Sequence, residues 1–417
     1  MSDITILPST LEGVITIPSS KSVAHRLILA SVISGACVQI NGNLNSKDII
    51  ATLECAKGLG ATITKLTNGA MLDATNMRPT THNFDVNESG STMRFLLPLL
   101  PIFLDEFTLC GRGRIGERPI GALRVTMERA GVSVGKDFLP LAVKGKYNTN
   151  HFSINPQESS QYITGMLLTL YALGGGTLKV EGDITSKGYI DITIGVLERF
   201  GAKVECENNT YTLTIQNKTI PTQIDVDADW SSACFHVVAG VLGGRVELKG
   251  LNYPDHQPDS IILSVIKQMG GKVYFKDGVL VAEKSKLNAV DFDADGSPDI
   301  VPILAVACAN ASGVSTITGT RRLRIKESDR VQAVCDMLSS FGVKTESGED
   351  YIKIWGTDTI TGGVVDSKND HRIAMSGAVM GSVASGVTTI KGIECISKSY
   401  PDFIKDFISV GGIVNEL

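Results

Sequence analysis

None of the eight cysteines in this 417-residue chain forms a Cys-x-x-Cys pair; they stand singly at Cys37, Cys55, Cys110, Cys206, Cys234, Cys308, Cys335 and Cys395. That spacing argues against a disulfide framework or a zinc finger, and reduced thiols in a cytoplasmic protein are the expectation. Six histidines are equally dispersed, so no protein-built metal centre is expected. Positive charge is not in excess: the net charge is −5, against a broad nucleic-acid or anionic-membrane surface. Any cation cluster must then be local and built for a small ligand. Long apolar runs are also missing. The longest, FLLPLLPIFL at 95–104, is too short and too broken by proline to span a bilayer. No secretory n-region and h-region precede the first strand.

What the chain does have is repetition. Six helix-like segments each end at a glycine followed by a short β-type run, and these glycines (Gly60, Gly131, Gly201, Gly270, Gly342 and Gly411) recur every 69 to 72 residues. Glycine just past the last turn is the expected helix stop. Upstream of each lies a second helix-like segment, small and apolar, with a polar start. Alternating stretches such as YTLTIQ and YIKIWG supply strands between them. A unit of two helices and a few strands is too small to bury its own core. Three units per domain in two domains is the natural partition, with a break near 225–228.

The polar helix starts carry the chemistry. The stretch Pro18–Arg26 offers hydroxyls, Lys21 and Arg26, then an apolar run, which makes a helix N-terminus suited to phosphate or carboxylate. Twelve or thirteen residues before five of the stop glycines stand Asp48, Arg118, Tyr189, Arg330 and Lys398. Lys21, Gly90, Ser160, Asp299 and Arg372 begin other helices. If equivalent helix ends point one way, their dipoles and cations converge.

Ten short motifs then occur in order: PSSKSVAHR, ESGSTMR, GERPIG, SSQ, SKGYIDIT, DWSSA, SPD, RIKESDR, NDHR and KSYPDF. Over essentially its whole length the chain resembles the EPSP synthase family of enolpyruvyl transferases. The resemblance implies a two-domain inside-out α/β barrel of six βαβαββ units, three per domain, with helix N-termini facing an interdomain cleft that closes on ligand. One domain would be residues 14–225; residues 1–13 would pair back with 226–417. It implies phosphoenolpyruvate and shikimate 3-phosphate as substrates, no cofactor, no nucleic-acid or membrane partner, and a monomer. Lys21, Gly90, Arg118, Gln161, Arg330, Arg372 and Lys398 would hold phosphoenolpyruvate; Lys21, Ser22, Arg26, Ser159, Ser160, Gln161, Ser186, Tyr189, Asp299 and Lys326 would hold shikimate 3-phosphate. Asp299 is the candidate base, with Glu327 or Lys21 handling the proton at C3.

Departures from the better-known members are Glu88-Ser-Gly-Ser91, Phe95 and Arg322; Glu88 and Arg322 are expected to compensate one another across the cleft. A sister transferase acting on UDP-N-acetylglucosamine is the nearest alternative. Its Lys-Asn pair is Lys21-Ser22 here, and its loop cysteine is Gly113. A related RNA 3′-end fold would need a basic face. A non-catalytic anion binder would gain nothing from Asp299 and Glu327.

Overall fold

The computed structural model describes residues 3–156, 159–216 and 220–417. It divides into an N-terminal unit, Lys21–Asp227, and a C-terminal unit, Met1–Ser20 with Ala228–Leu417. The N-terminal unit contains α1 (Lys21–Ser34), α2 (Lys47–Gly58), α3 (Gly90–Phe103), α4 (Gly121–Arg129), α5 (Gln161–Ala172) and α6 (Lys187–Arg199). The C-terminal unit contains α7 (Trp230–Gly243), α8 (Ile262–Gln268), α9 (Val301–Ala309), α10 (Arg330–Ser340), α11 (His371–Val383) and α12 (Phe403–Ser409). Among the described residues no helix is long and apolar enough to cross a membrane.

Within each unit the odd-numbered helices are buried almost all round and pack on one another: α1, α3 and α5 in one, α7, α9 and α11 in the other. A helix apolar on every face has to sit inside. The even-numbered helices bury only one side and end at the repeat glycines. All six of these have positive φ, between 80° and 99°, the left-handed region in which only glycine is unstrained.

Among the described residues each unit carries three four-stranded sheets, each with one parallel and two antiparallel pairings. The third repeat shows the pattern in sequence order. Its strands run 151–154, 175–180, 210–215, 202–207 across the sheet, with α5 and α6 as the connections. The first repeat departs from this pattern. Residues 11–16, directly before α1, pair in parallel with 244–249 of the fourth repeat, and the vacant edge of the first sheet is taken by 223–225 against 39–41. Residues 4–7 in turn lie between 388–391 and 413–416.

The expected boundary at residue 14 is therefore corrected to 20/21. The ladder Val14↔Glu247, Ile15↔Leu248, Thr16↔Lys249 binds these residues to the C-terminal unit, and Ile15 is buried in its core. The other boundary falls at 227/228. Val226 still donates its N–H to the Asn41 carbonyl at 2.9 Å, which keeps it with the N-terminal unit.

The run at 95–104 is not broken by its prolines, because α3 continues through Pro98 and Pro101. Proline removes the donor that would bond the carbonyl four residues back. Here that carbonyl, Arg94 O, faces Gly165 of α5, where a Cβ would come within 2.3 Å of it. The two helices approach closely at that point because position 165 has no side chain.

Candidate active site

In the N-terminal unit the starts of α1, α2, α3 and α5 are tied together by side chains from their first turns. Lys21, the first residue of α1, donates to Asp48 Oδ2 at 2.9 Å. Asp48 lies in the first turn of α2, after the N-cap Ser46. Its backbone carbonyl also meets Thr52 (3.4 Å) and Thr92 (3.5 Å). Thr52 and Thr92 hydroxyls are 2.7 Å apart, and Thr52 is 2.7 Å from His25 Nδ1. A buried polar chain thus runs from α1 through α2 to α3, ending on Ser89, the side-chain cap of α3.

Gly90 opens α3 and brings two arginines to its N-terminus. A Cβ there would sit 2.6 Å from Arg118 Nη1 and 3.1 Å from Arg94 Nη1. Arg118 itself follows the short helix Gly113–Glu117 and is buried. Arg94 Nη1 donates to Gln161 Oε1 at 2.9 Å, and Gln161 Nε2 donates to Ser91 Oγ at 3.0 Å. Gln161 is the first residue of α5; its N–H bonds the Ser159 hydroxyl at 3.2 Å. Ser160 and Ser186 precede α5 and α6 but cap neither with the side chain, and Ser186 holds φ at +51°, a costly conformation for a non-glycine residue.

Arg26 sits deeper than expected for a ligand-binding cation. It donates to Thr193 Oγ1 (2.8 Å), Thr164 Oγ1 (3.2 Å), the Tyr189 carbonyl (2.9 Å) and the Ser22 carbonyl (2.6 Å). Among the described residues these bonds take four of its five N–H donors. Burial pulls Arg26 down to about 9, so it stays charged at neutral pH. Phe95, the departure from the family pattern, packs under this guanidinium at 4.9 Å and edge-on to His25.

In the C-terminal unit a second cluster forms where α7, α9, α10 and α11 begin. Arg330, first in α10 and 1% exposed, meets three carboxylates: Asp370 Oδ2 at 2.8 Å, Asp299 Oδ1 at 2.8 Å and Glu327 Oε2 at 2.7 Å. Asp370 is the N-cap of α11. Arg372, two residues on, donates to Asp299 Oδ2 at 2.9 Å, the Asp299 carbonyl at 3.1 Å and Ser231 Oγ at 3.3 Å. Lys326 Nζ lies 3.6 Å from Asp299 Oδ1. Lys398 donates to the Asn369 carbonyl at 2.8 Å.

Burial alone would push the Asp299 carboxyl up, but Arg372, Lys326 and Arg330 more than reverse this and hold it well below the usual carboxylate range. Burial likewise opposes the charge on Arg330, and Asp370, Glu327 and Asp299 outweigh it. Asp259 behaves differently. Burial and Asp299 push it up to about 6, against Arg372 and Ser231.

Each unit therefore gathers its own share of the expected residues at helix starts. The N-terminal unit holds Lys21, Ser22, Arg26, Gly90, Arg118, Ser159, Ser160, Gln161, Ser186 and Tyr189; the C-terminal unit holds Asp299, Lys326, Glu327, Arg330, Arg372 and Lys398. Arg322 pairs with Asp295 at 2.9 Å, and Glu88 lies over Gly113 of its own unit. Sequence reasoning missed Arg94, Ser231, Asp259 and Asp370. Three of these stood inside the quoted motifs ESGSTMR, DWSSA and NDHR. Asp259 had a signal of its own, a Pro-Asp helix start repeated at Pro298-Asp299.

Comparison with known proteins bears on the chain as a whole. The family model of EPSP synthase (3-phosphoshikimate 1-carboxyvinyltransferase) matches residues 7–407. A 3-phosphoshikimate 1-carboxyvinyltransferase of Clostridium novyi (strain NT) is 38% identical over 100% of this chain and 99% of its own length. One from Clostridium kluyveri is 35% identical over the same shares. Among solved structures, an EPSP synthase from Acinetobacter baumannii superposes with a TM-score of 0.83 at 26% identity, covering 100% of both chains. The enolpyruvyl transferase NikO from Streptomyces tendae, at 17% identity and a TM-score of 0.80, shares the fold.

Proposed function

The chain belongs to the EPSP synthase family, and from that premise we propose how its two clusters of helix starts divide the work. The protein transfers the enolpyruvyl group of phosphoenolpyruvate to the 5-hydroxyl of shikimate 3-phosphate and releases phosphate, a step of the shikimate pathway. Lys21, Arg118 and Gln161, with the open backbone at Gly90, bind phosphoenolpyruvate from the N-terminal unit; Arg330, Arg372 and Lys398 bind it from the C-terminal unit. Arginine forks suit its carboxylate and phosphate. Ser22, Ser159, Ser160, Gln161, Ser186, Tyr189 and the remaining N–H of Arg26 hold shikimate 3-phosphate, aided by Lys21 and Lys326. The working form is a cytoplasmic monomer.

Asp299 receives the proton of the 5-hydroxyl as its oxygen bonds to C2. The C2=C3 electrons take a proton at C3 from Glu327 or Lys21, giving a tetrahedral adduct. One of the three hydrogens of the resulting C3 methyl group then passes back to that group, the double bond re-forms, and the C2–O bond to phosphate breaks. Cations on the departing phosphate stabilise the charge that develops on it. So acidic a carboxyl is a weak base, and Asp299 works through position rather than basicity. The observation that carries this reading is Asp299 itself, a carboxylate at a helix start held by three cations.

The test is phosphate release from phosphoenolpyruvate with shikimate 3-phosphate or UDP-N-acetylglucosamine as acceptor. Release is expected only with shikimate 3-phosphate, and Asp299→Ala should lower kcat at least ~100-fold. Release with the sugar nucleotide alone, or an unaffected variant, contradicts the reading.

A further inference from the structure

Arg372 is held by more than Asp299. Its Nη2 also lies 3.3 Å from the Ser231 hydroxyl, and that hydroxyl is hydrogen-bonded to Asp259 Oδ2. A serine hydroxyl has one proton and two lone pairs. The Asp259 carboxylate can only accept, so it takes the Ser231 proton and leaves the serine lone pairs turned to the guanidinium. We propose that Asp259 is a positioning residue for the transfer reaction: acting through Ser231, it sets the orientation in which Arg372 meets Asp299 and phosphoenolpyruvate. The proposal rests on the assignment of Arg372 to phosphoenolpyruvate made above.

Three further observations support it. Asp259 and Asp299 occupy equivalent places, each following a proline at the start of a 3-10 turn that leads into α8 or α9. They differ in access. Asp259 is 2% exposed, whereas the Asp299 side chain is 21% exposed, so one carboxyl is sealed behind Arg372 while the other reaches out to substrate. The sealed position is also fixed from behind: Ser297 Oγ donates to the Pro258 carbonyl at 2.9 Å, and Gln257 Nε2 donates to the Ala228 carbonyl at 2.7 Å. Burial and Asp299 push the Asp259 carboxyl up to about 6. A buried acid beside a second carboxylate persists at a cost to the fold, which is consistent with a role beyond stability.

The experiment is steady-state kinetics on Asp259→Ala, Asp259→Asn, Ser231→Ala, the Asp259→Ala/Ser231→Ala double variant and Arg372→Lys. Asp259→Ala and Ser231→Ala should each raise KM for phosphoenolpyruvate about tenfold, the size expected for one lost hydrogen bond to a charged group, with kcat within about threefold. The double variant should be no worse than either single one, because both cut the same relay. Asp259→Asn retains an acceptor oxygen and should stay within about threefold of the parent KM. Unchanged KM in Ser231→Ala and Asp259→Ala, or losses that multiply in the double variant, would overturn the proposal. If Asp259→Ala does not fold, Ser231→Ala alone decides, since it removes the relay and leaves the buried acid. A normal KM in Arg372→Lys would instead overturn the assignment of Arg372.

Discussion

At the scale of single residues, the carboxylates Asp48, Asp299, Glu327 and Asp370 of the candidate site each meet a cation of their own unit. Asp299, Glu327 and Asp370 stand against Arg330, Arg372 and Lys326, and Lys21 is occupied by Asp48. In the proposed mechanism the two polyanionic substrates compete with these carboxylates for the same cations, and that competition would free Asp299 and Glu327 to act on protons. Away from the site, His236 shows what burial does to an unused titratable group. Its Nε2 lies 3.1 Å from Tyr400 Oη, which donates to Asp406 Oδ2 at 2.7 Å, and burial pulls His236 down to about 3. The unfolded chain takes up this proton near pH 6.5 and the native state does not. Stability is therefore present above pH 6.5 and lost as pH falls below it, by about 1.4 kcal/mol between pH 7.5 and 5.5 for this one residue. Urea unfolding of His236→Gln at the two pH values should show a loss smaller than the parent's by about that amount. An equal loss would mean that His236 is protonated in the folded protein.

At the scale of elements, the decisive feature is a buried helix whose first turn carries the chemistry. Gly90 is the clearest case, because a Cβ there would meet Arg118 Nη1 at 2.6 Å. The atom displaced is the end of a flexible side chain, so the helix should survive while Arg118 moves. Gly90→Ala is expected to raise KM for phosphoenolpyruvate about tenfold with little change in Tm, on the scale of one charged hydrogen bond. A normal KM would show that Arg118 does not hold this substrate. Much of this level was legible in the sequence. The six stop glycines recur at 69–72 residues and all adopt positive φ, because the helix C-terminus leaves a local chemical mark. Strand partners leave none. Nothing local in residues 11–16 says that they pair with 244–249 rather than within their own repeat. Arg94 was hidden for a similar reason. It stands inside the motif ESGSTMR, but its partner Gln161 is 67 residues away. The Pro-Asp start at Asp259 matches that at Asp299, but only the structure links it through Ser231 to Arg372.

At the scale of the whole molecule, the C-terminal unit is assembled from both ends of the chain. Residues 4–7 and 11–16 complete sheets whose other strands lie beyond residue 243. Such long-range pairings are slow to form, and the N-terminal unit, contiguous from Lys21 to Asp227, is free to fold first. Both units follow one plan, buried helices with polar starts; in the proposed mechanism cations from each hold the anions, and the carboxylates of the C-terminal unit move the protons. In the proposed mechanism enolpyruvyl transfer proceeds by addition and elimination, with C3 gaining and then losing a proton. The most direct test runs the reaction in deuterium oxide and follows C3 of phosphoenolpyruvate and of the product by NMR. Deuterium is expected at C3 only when shikimate 3-phosphate is present, with slower incorporation in Glu327→Gln. Product formed with no deuterium at C3 would mean that C3 is never protonated, and the account would be wrong.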